Sequence, residues 1–452
     1  MNRHNHLKAL CASFLLAGAA VSSNARALKS DSDRETHFTF VPLLENANAV
    51  IAEPAKLDEA RRHVVILVAH PEHINAFTYF IAPETAKRGY RTMILNYYGK
   101  EETYEEFLRP VAAAISYLRG LPGVDKVILA GHSAGAAELT YYQDVAENGP
   151  GACQGPSRIY PCDGAHLDHL PKADGLMLLE ANIGSPMRAI AIDPAVDSEH
   201  PTVRNQELDM FDPSNGFDAA TRSAHYTPEF ETKYFQAQQE RNQEVVNVVL
   251  DRLEKIKKGA GQYRDDEPFT LGGGSTRMNG ARLDLADRSL LSKTHAPHML
   301  LKADGSAPEQ IIQSLVGGAA VSDDLGKLWE TAQNGSLRHY VSYYALKTTA
   351  DYRLTADDIK GIDWRSSANS AVGNVEGITV PTLVMTGTCY VHIVPSEIAY
   401  DHSAAKDKEY VSVEGGDHFF KPCKPEYGNS TKRTFDYVDR WLMKPGRFGS
   451  SR

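Results

Sequence analysis

The sequence predicts an α/β protein: a mostly parallel, twisted sheet with helices on both faces, interrupted by a long and largely helical insertion. Three observations predict it. Short apolar runs alternate with amphipathic helical segments from Thr36 to Gly184, the alternation lapses over residues 185–377, and it resumes in the last part of the chain. Continuous apolar strands belong in sheets covered on both faces, and strands alternating with helices are joined by crossovers that make them parallel.

Taken in order, Arg3 and Lys8 precede an apolar run from Ala9 to Val21, and Ala25-Arg26-Ala27 has the small-x-small form of a cleavage site. Residues 1–27 are therefore expected to be a secretory signal peptide. About a dozen apolar residues are too few to span a hydrocarbon core of roughly 30 Å. No later segment is long and apolar enough for a membrane span. With Cys11 in the leader, Cys153, Cys162, Cys389 and Cys423 remain, an even number in an oxidising compartment. Cys153 and Cys162 bracket the loop "CQGPSRIYPC" and are expected to form a short staple, which leaves Cys389 to pair with Cys423.

The first part of the core, residues 28–184, has strand candidates in "THFTFVPL", "RHVVILVAH", "RTMILNYY", "KVILAG" and "GLMLLEA". Phe107, Val111, Ile115 and Leu118 fall at helical steps between them. Over residues 185–377 the pattern is that of an inserted cap. There Val246, Val249, Leu253 and Ile256 share one helical face, ended by "KKGAGQYRDDEP". Its aromatic residues Phe211, Phe217, Tyr226, Phe230, Tyr234, Tyr340, Tyr343 and Tyr344 are expected to pack the cap and line an apolar pocket. "MFDPSNGF" has the turn chemistry of a gating loop. "LGGGSTR", from Leu271, follows no convincing strand and lacks the lysine of a phosphate loop, so it reads as a flexible turn. The second part of the core, residues 378–452, carries strands in "VPTLVMTG" and "EYVSVEGG" and a final helix with Phe435, Val438 and Leu442 on one face.

The formal net charge is -10, from 48 basic and 58 acidic side chains well mixed along the chain, so no basic face marks a nucleic-acid partner. His70 and His73 in "HPEH", and His166 and His169 in "HLDH", have ligand-like spacing. A zinc site needs three or four convergent ligands, and Pro71 works against a helical face for the first pair. No metal or other cofactor is expected.

The informative motif is Gly131-His132-Ser133-Ala134-Gly135, lying between an apolar strand and a helix. In that context G-x-S-x-G is a nucleophile elbow, a turn so tight that only glycine fits at its flanks and the serine hydroxyl stands above the sheet. The chain here resembles the α/β-hydrolase fold superfamily, with a cap inserted before the final strands. The resemblance implies a triad in the order nucleophile, acid, histidine. His418, in "YVSVEGGDHFFKPC", occupies the place implied for the base. Where the superfamily commonly has its acid this chain has Tyr390, a phenol that cannot stabilise an imidazolium as a carboxylate does. Some members, haloalkane dehalogenases among them, carry the acid one strand earlier, and Glu180 in "GLMLLEANIG" is similar to that arrangement. Glu397 and Asp417 remain alternatives. The dehalogenase resemblance ends there, because those enzymes have an aspartate nucleophile.

A serine nucleophile implies acyl transfer to water through an acyl-enzyme, with the oxyanion held by backbone amides, here of Ala134 and of Glu72, since Pro71 has no N–H. The expected activity is hydrolysis of a small-molecule carboxylic ester, a lactone being one such form, by an exported serine hydrolase. C–C bond or amide hydrolysis on the same triad, and a non-catalytic binding protein of the same fold, are the alternatives.

Overall fold

The computed structural model describes residues 36–72, 74–98, 103–197, 203–273, 281–316 and 332–449. The expected leader, His73 and residues 274–277 of the glycine-rich segment lie outside them. Ten strands form one sheet: β1 (Thr36–Leu44), β2 (Ala47–Pro54), β3 (Val64–Ala69), β4 (Arg91–Tyr97), β5 (Lys126–His132), β6 (Gly175–Leu179), β7 (Lys293–Leu301), β8 (Glu309–Gln313), β9 (Thr382–Gly387) and β10 (Lys408–Val413). Their order is β1-β2-β4-β3-β5-β6-β9-β10-β7-β8. β1 and β2 form an antiparallel hairpin, β2 is antiparallel to β4, and from β4 to β7 every pairing is parallel.

β3 shows how the sequence builds the layers. All of "VVILVA" is buried, and successive side chains of a strand point to opposite faces. Val65, Leu67 and Ala69 join one core with α2 (Leu108–Arg119) and α3 (Gly135–Asn148), while Val64, Ile66 and Val68 join another with α1 (Ile81–Lys87) and the last helix, Ser430–Leu442. The helical face expected from Phe107, Val111, Ile115 and Leu118 is buried in the first of these.

In the interval expected to be the cap, the longest element is α4, Pro228–Lys257. Its start follows from chemistry: the Thr227 side chain accepts from the Phe230 N–H, Pro228 opens the first turn, and Glu229 and Glu231 complement the helix dipole. Phe217, Tyr226, Phe230 and Tyr234 form a buried core with it, so these aromatics hold the insertion together. The interval is less helical than expected. Three small antiparallel pairs lie in it among the described residues, Phe217–Asp218 with Ser223–Ala224, Pro268–Gly272 with Ala332–Ser336 and Lys347–Leu354 with Ile359–Asp363. Leu271 and Gly272 thus end a strand that the glycines conceal. More consequentially, β7 and β8 belong to the central sheet and extend its far edge. β7 carries Pro297 and two polar histidines and lacks an apolar run, because only its last residues pair with β10. β2, "ANAVIAEP", was absent from the expected strands; small side chains weaken its signal, and its pairing between β1 and β4 makes it a strand.

Candidate active site

Ser133 leaves β5 with φ 53°, in the left-handed region that non-glycine residues avoid. Its flanking glycines show why the turn needs them. A Cβ on Gly131 would lie 2.6 Å from Ala136 Cα, and one on Gly135 would lie 2.2 Å from the Ala69 carbonyl oxygen. The Ser133 N–H donates to the Leu179 carbonyl at 3.2 Å, and its own carbonyl accepts from Ala136 and Asn182 N–H at 3.1 and 3.0 Å. The elbow is thereby tied on both sides of Glu180. Ala134 precedes α3, among the N–H groups that helix geometry leaves without an intrahelical acceptor.

Glu180 also has a positive φ, 47°, and is fully buried. Its N–H donates to the Met385 carbonyl at 2.8 Å, and its Oε1 accepts the Gly387 N–H. Oε2 lies 3.7 Å from His418 Nδ1 and 3.5 Å from His392 Nδ1, ion-pair distances longer than hydrogen bonds. Burial alone would raise the carboxyl's pKa, but the two imidazoles outweigh it and hold the group below its ordinary value. The carboxylate is ionised at neutral pH.

His418 sits in the loop after β10, with its ring 4.3 Å from that of Tyr390 and 4.5 Å from that of His132. The disulfide Cys389–Cys423 closes this loop against the end of β9, and Cys153–Cys162 staples the loop after α3. Tyr390 thus lies against the His418 ring from the place expected for an acid, its pKa pushed up to about 12 by burial and by the charge of Glu180.

The alternative acids are occupied elsewhere. Glu397 is buried and binds His298 Nε2 at 2.7 Å and the N–H of His295 and Ala296 at 2.9 and 3.2 Å, anchoring β7. Asp417 accepts the N–H of Phe419 and Lys421 at 2.8 Å, shaping the histidine loop. The Glu72 N–H, expected as the second oxyanion donor, instead donates to His70 Nδ1 at 3.0 Å. An amide so engaged cannot hold an oxyanion until that ring turns away. His166 and His169 are exposed, in a loop where both have positive φ.

Sequence reasoning missed three residues. His392, fully buried, has its Nδ1–H donating to the Glu180 carbonyl at 2.9 Å, and burial, only partly offset by Glu180, lowers its pKa so that it stays neutral. His132 and Tyr79 form a chain to the backbone of His418. The only signal available was position: His132 adjoins Ser133, and His392 follows Tyr390 by two. Glu180, His392 and His418 also offer one ligand atom each within 4.8 Å of one another, a metal-like grouping among the described residues. The Nδ1 proton of His392 goes to the main-chain carbonyl of Glu180, so that nitrogen has no lone pair to offer a metal.

A parallel sheet covered by helices, with a glycine-pinned serine between β5 and α3, is the α/β-hydrolase fold. No family model and no curated protein matches the chain. Similar solved structures include Est1E from Butyrivibrio proteoclasticus, with 11% identity over 90% of this chain and 97% of that one at a TM-score of 0.37. A soluble variant of monoglyceride lipase from Saccharomyces cerevisiae, in complex with a substrate analog, has 11% identity over 95% and 99% at 0.39. A double mutant of the esterase E40 has 12% identity over 94% and 88% at 0.41. At these values it is the strand order and the elbow that define the fold.

Proposed function

We propose that the protein is a serine hydrolase of small carboxylic esters, with Ser133 as nucleophile, His418 as general base and acid, and Glu180 as the triad acid. The observation that carries this is the buried, ionised Glu180 carboxylate beside His418 Nδ1, on a strand end hydrogen-bonded to the strained serine turn. With Nδ1 turned to Glu180, His418 Nε2 is the nitrogen left to take the Ser133 proton. The alkoxide attacks the ester carbonyl, and the Ala134 N–H and the positive end of α3 stabilise the oxyanion. His418 then returns the proton to the leaving alcohol, and water, activated by the same nitrogen, releases the acid. Glu180 stays ionised throughout and stabilises the imidazolium. The second oxyanion donor is the Glu72 N–H once released from His70. The insertion over residues 185–377, less the two strands it lends to the sheet, closes over the site.

We propose further that the chain is exported, on the strength of the basic and apolar leader pattern and of two disulfides, which persist in oxidising compartments. No helix among the described residues is long and apolar enough to cross a membrane. The test of activity is labelling with a fluorophosphonate and mapping of the modified peptide, together with burst release from a p-nitrophenyl ester. The label is expected on Ser133 and absent in Ser133→Ala. A label elsewhere, or turnover surviving Ser133→Ala, would overturn the assignment.

A further inference from the structure

His132, the second residue of the elbow, is 2% exposed and has no part in the steps above. Its Nε2 lies 2.7 Å from the backbone carbonyl oxygen of His418, and its Nδ1 lies 2.6 Å from the hydroxyl of Tyr79. A carbonyl oxygen only accepts, so Nε2 carries the proton. Nδ1 is then bare, and the Tyr79 O–H donates to it. The polarity of the chain is fixed from end to end: Tyr79 to His132, His132 to His418.

Nothing in this chain titrates near neutrality. Burial drives the His132 pKa well below its ordinary value, with the nearby His418 adding to the shift, and burial raises the Tyr79 phenol far above its own. The rings of Phe80 and Phe419, at 5.0 and 5.4 Å, close on the imidazole from other directions. The residue next to the nucleophile therefore holds the main chain of the residue that carries the base.

We infer that His132 is a positioning residue, setting the reach from Ser133 to His418, and that Tyr79 locks the tautomer in which it can do so. The inference rests on Ser133 and His418 being nucleophile and base. The physical warrant is the steepness of proton transfer and nucleophilic attack with distance: a misplacement of about 1 Å costs roughly 100-fold in rate. The alternative is that His132 merely fills space under the elbow.

Two measurements separate these. In the first, kcat and KM for a p-nitrophenyl ester are compared across His132→Leu, His132→Gln and Tyr79→Phe. His132→Leu is expected to lower kcat roughly 100-fold with KM within about 3-fold. Gln, whose amide reaches the place of Nε2–H, should recover most of the loss. Tyr79→Phe should lower kcat by roughly 10-fold, the worth of one hydrogen bond. A folded His132→Leu with kcat near wild type, or Gln no better than Leu, overturns the inference.

The second measurement needs no activity. The ring nitrogens of His132 are read from two-bond proton–nitrogen correlations in protein carrying nitrogen-15 histidine, identified by the signal lost in His132→Gln. The Nε2–H tautomer is expected at neutral pH, shifting toward a mixture in Tyr79→Phe; the Nδ1–H tautomer in wild type overturns the inference. Should wild type show no Ser133-dependent turnover, the functional reading fails while the tautomer still tests the chain.

Discussion

One carboxylate oxygen, Oε2 of Glu180, faces two imidazoles, and their roles differ because their protons do. His392 spends its Nδ1–H on the Glu180 carbonyl, which holds the left-handed backbone of that residue. His418 keeps its Nδ1 toward the carboxylate and its ring edge partly exposed, at 17%. Glu180→Gln keeps the shape and loses the charge that, in the proposed mechanism, stabilises the imidazolium. It is expected to lower kcat by roughly 10²–10⁴-fold with little change in KM, measured by ester hydrolysis across pH 6–9. Unchanged turnover would return the acid to the alternatives. Glu180 was legible because a carboxylate ending so apolar a strand must have a partner. His392 was not, since nothing in "TCYVHIVP" says that its ring turns back onto the end of β6.

At the scale of elements, the elbow and the histidine loop are the two turns whose geometry matters. Gly135→Ala would place a methyl 2.2 Å from the Ala69 carbonyl oxygen, against backbone that cannot yield. It is expected to destabilise the fold by about 3 kcal/mol or more, read from the urea midpoint. The histidine loop is held by Cys389–Cys423, with a sequence separation of 34. Chain entropy puts the worth of such a closure at about 3–4 kcal/mol. Cys389→Ser with Cys423→Ser should therefore lower the denaturation midpoint, and kcat with it, because the loop that aims His418 loses its tie to the end of β9. A double variant as stable and active as wild type would remove that role. Glycines in G-x-S-x-G and paired cysteines announce such turns in one dimension, whereas β2 and β7 gave little sign, one through small residues and one through a proline.

At the scale of the molecule, three buried histidines, His70, His132 and His392, all have pKa values lowered first of all by burial. Unfolding frees them to take up protons below their ordinary value of 6.5. The unfolded state then binds more protons, so stability rises with pH through this region and is lost as pH falls. Asp144, pushed up to about 6 by burial, acts in the opposite sense over a lower range, so the comparison belongs between pH 6 and 7.5. The melting temperature is expected to be higher at pH 7.5 than at pH 6, and the difference to shrink in His392→Asn. An equal or inverted difference would show that these rings are not held neutral.

The sequence by itself determined the fold class, the strained serine turn, the late histidine and the two cysteine pairs, because each is encoded locally by apolar runs, glycine spacing or loop chemistry. Only the tertiary structure decided which carboxylate meets that histidine, that Glu397 serves β7, that the Glu72 amide is engaged by His70, and that His132 reaches across to the backbone of His418. Apart from Glu72 and His70, which lie two residues apart and meet through the turn of a side chain, those partners lie far apart along the chain, and a contact between distant segments leaves no periodicity in the sequence of either.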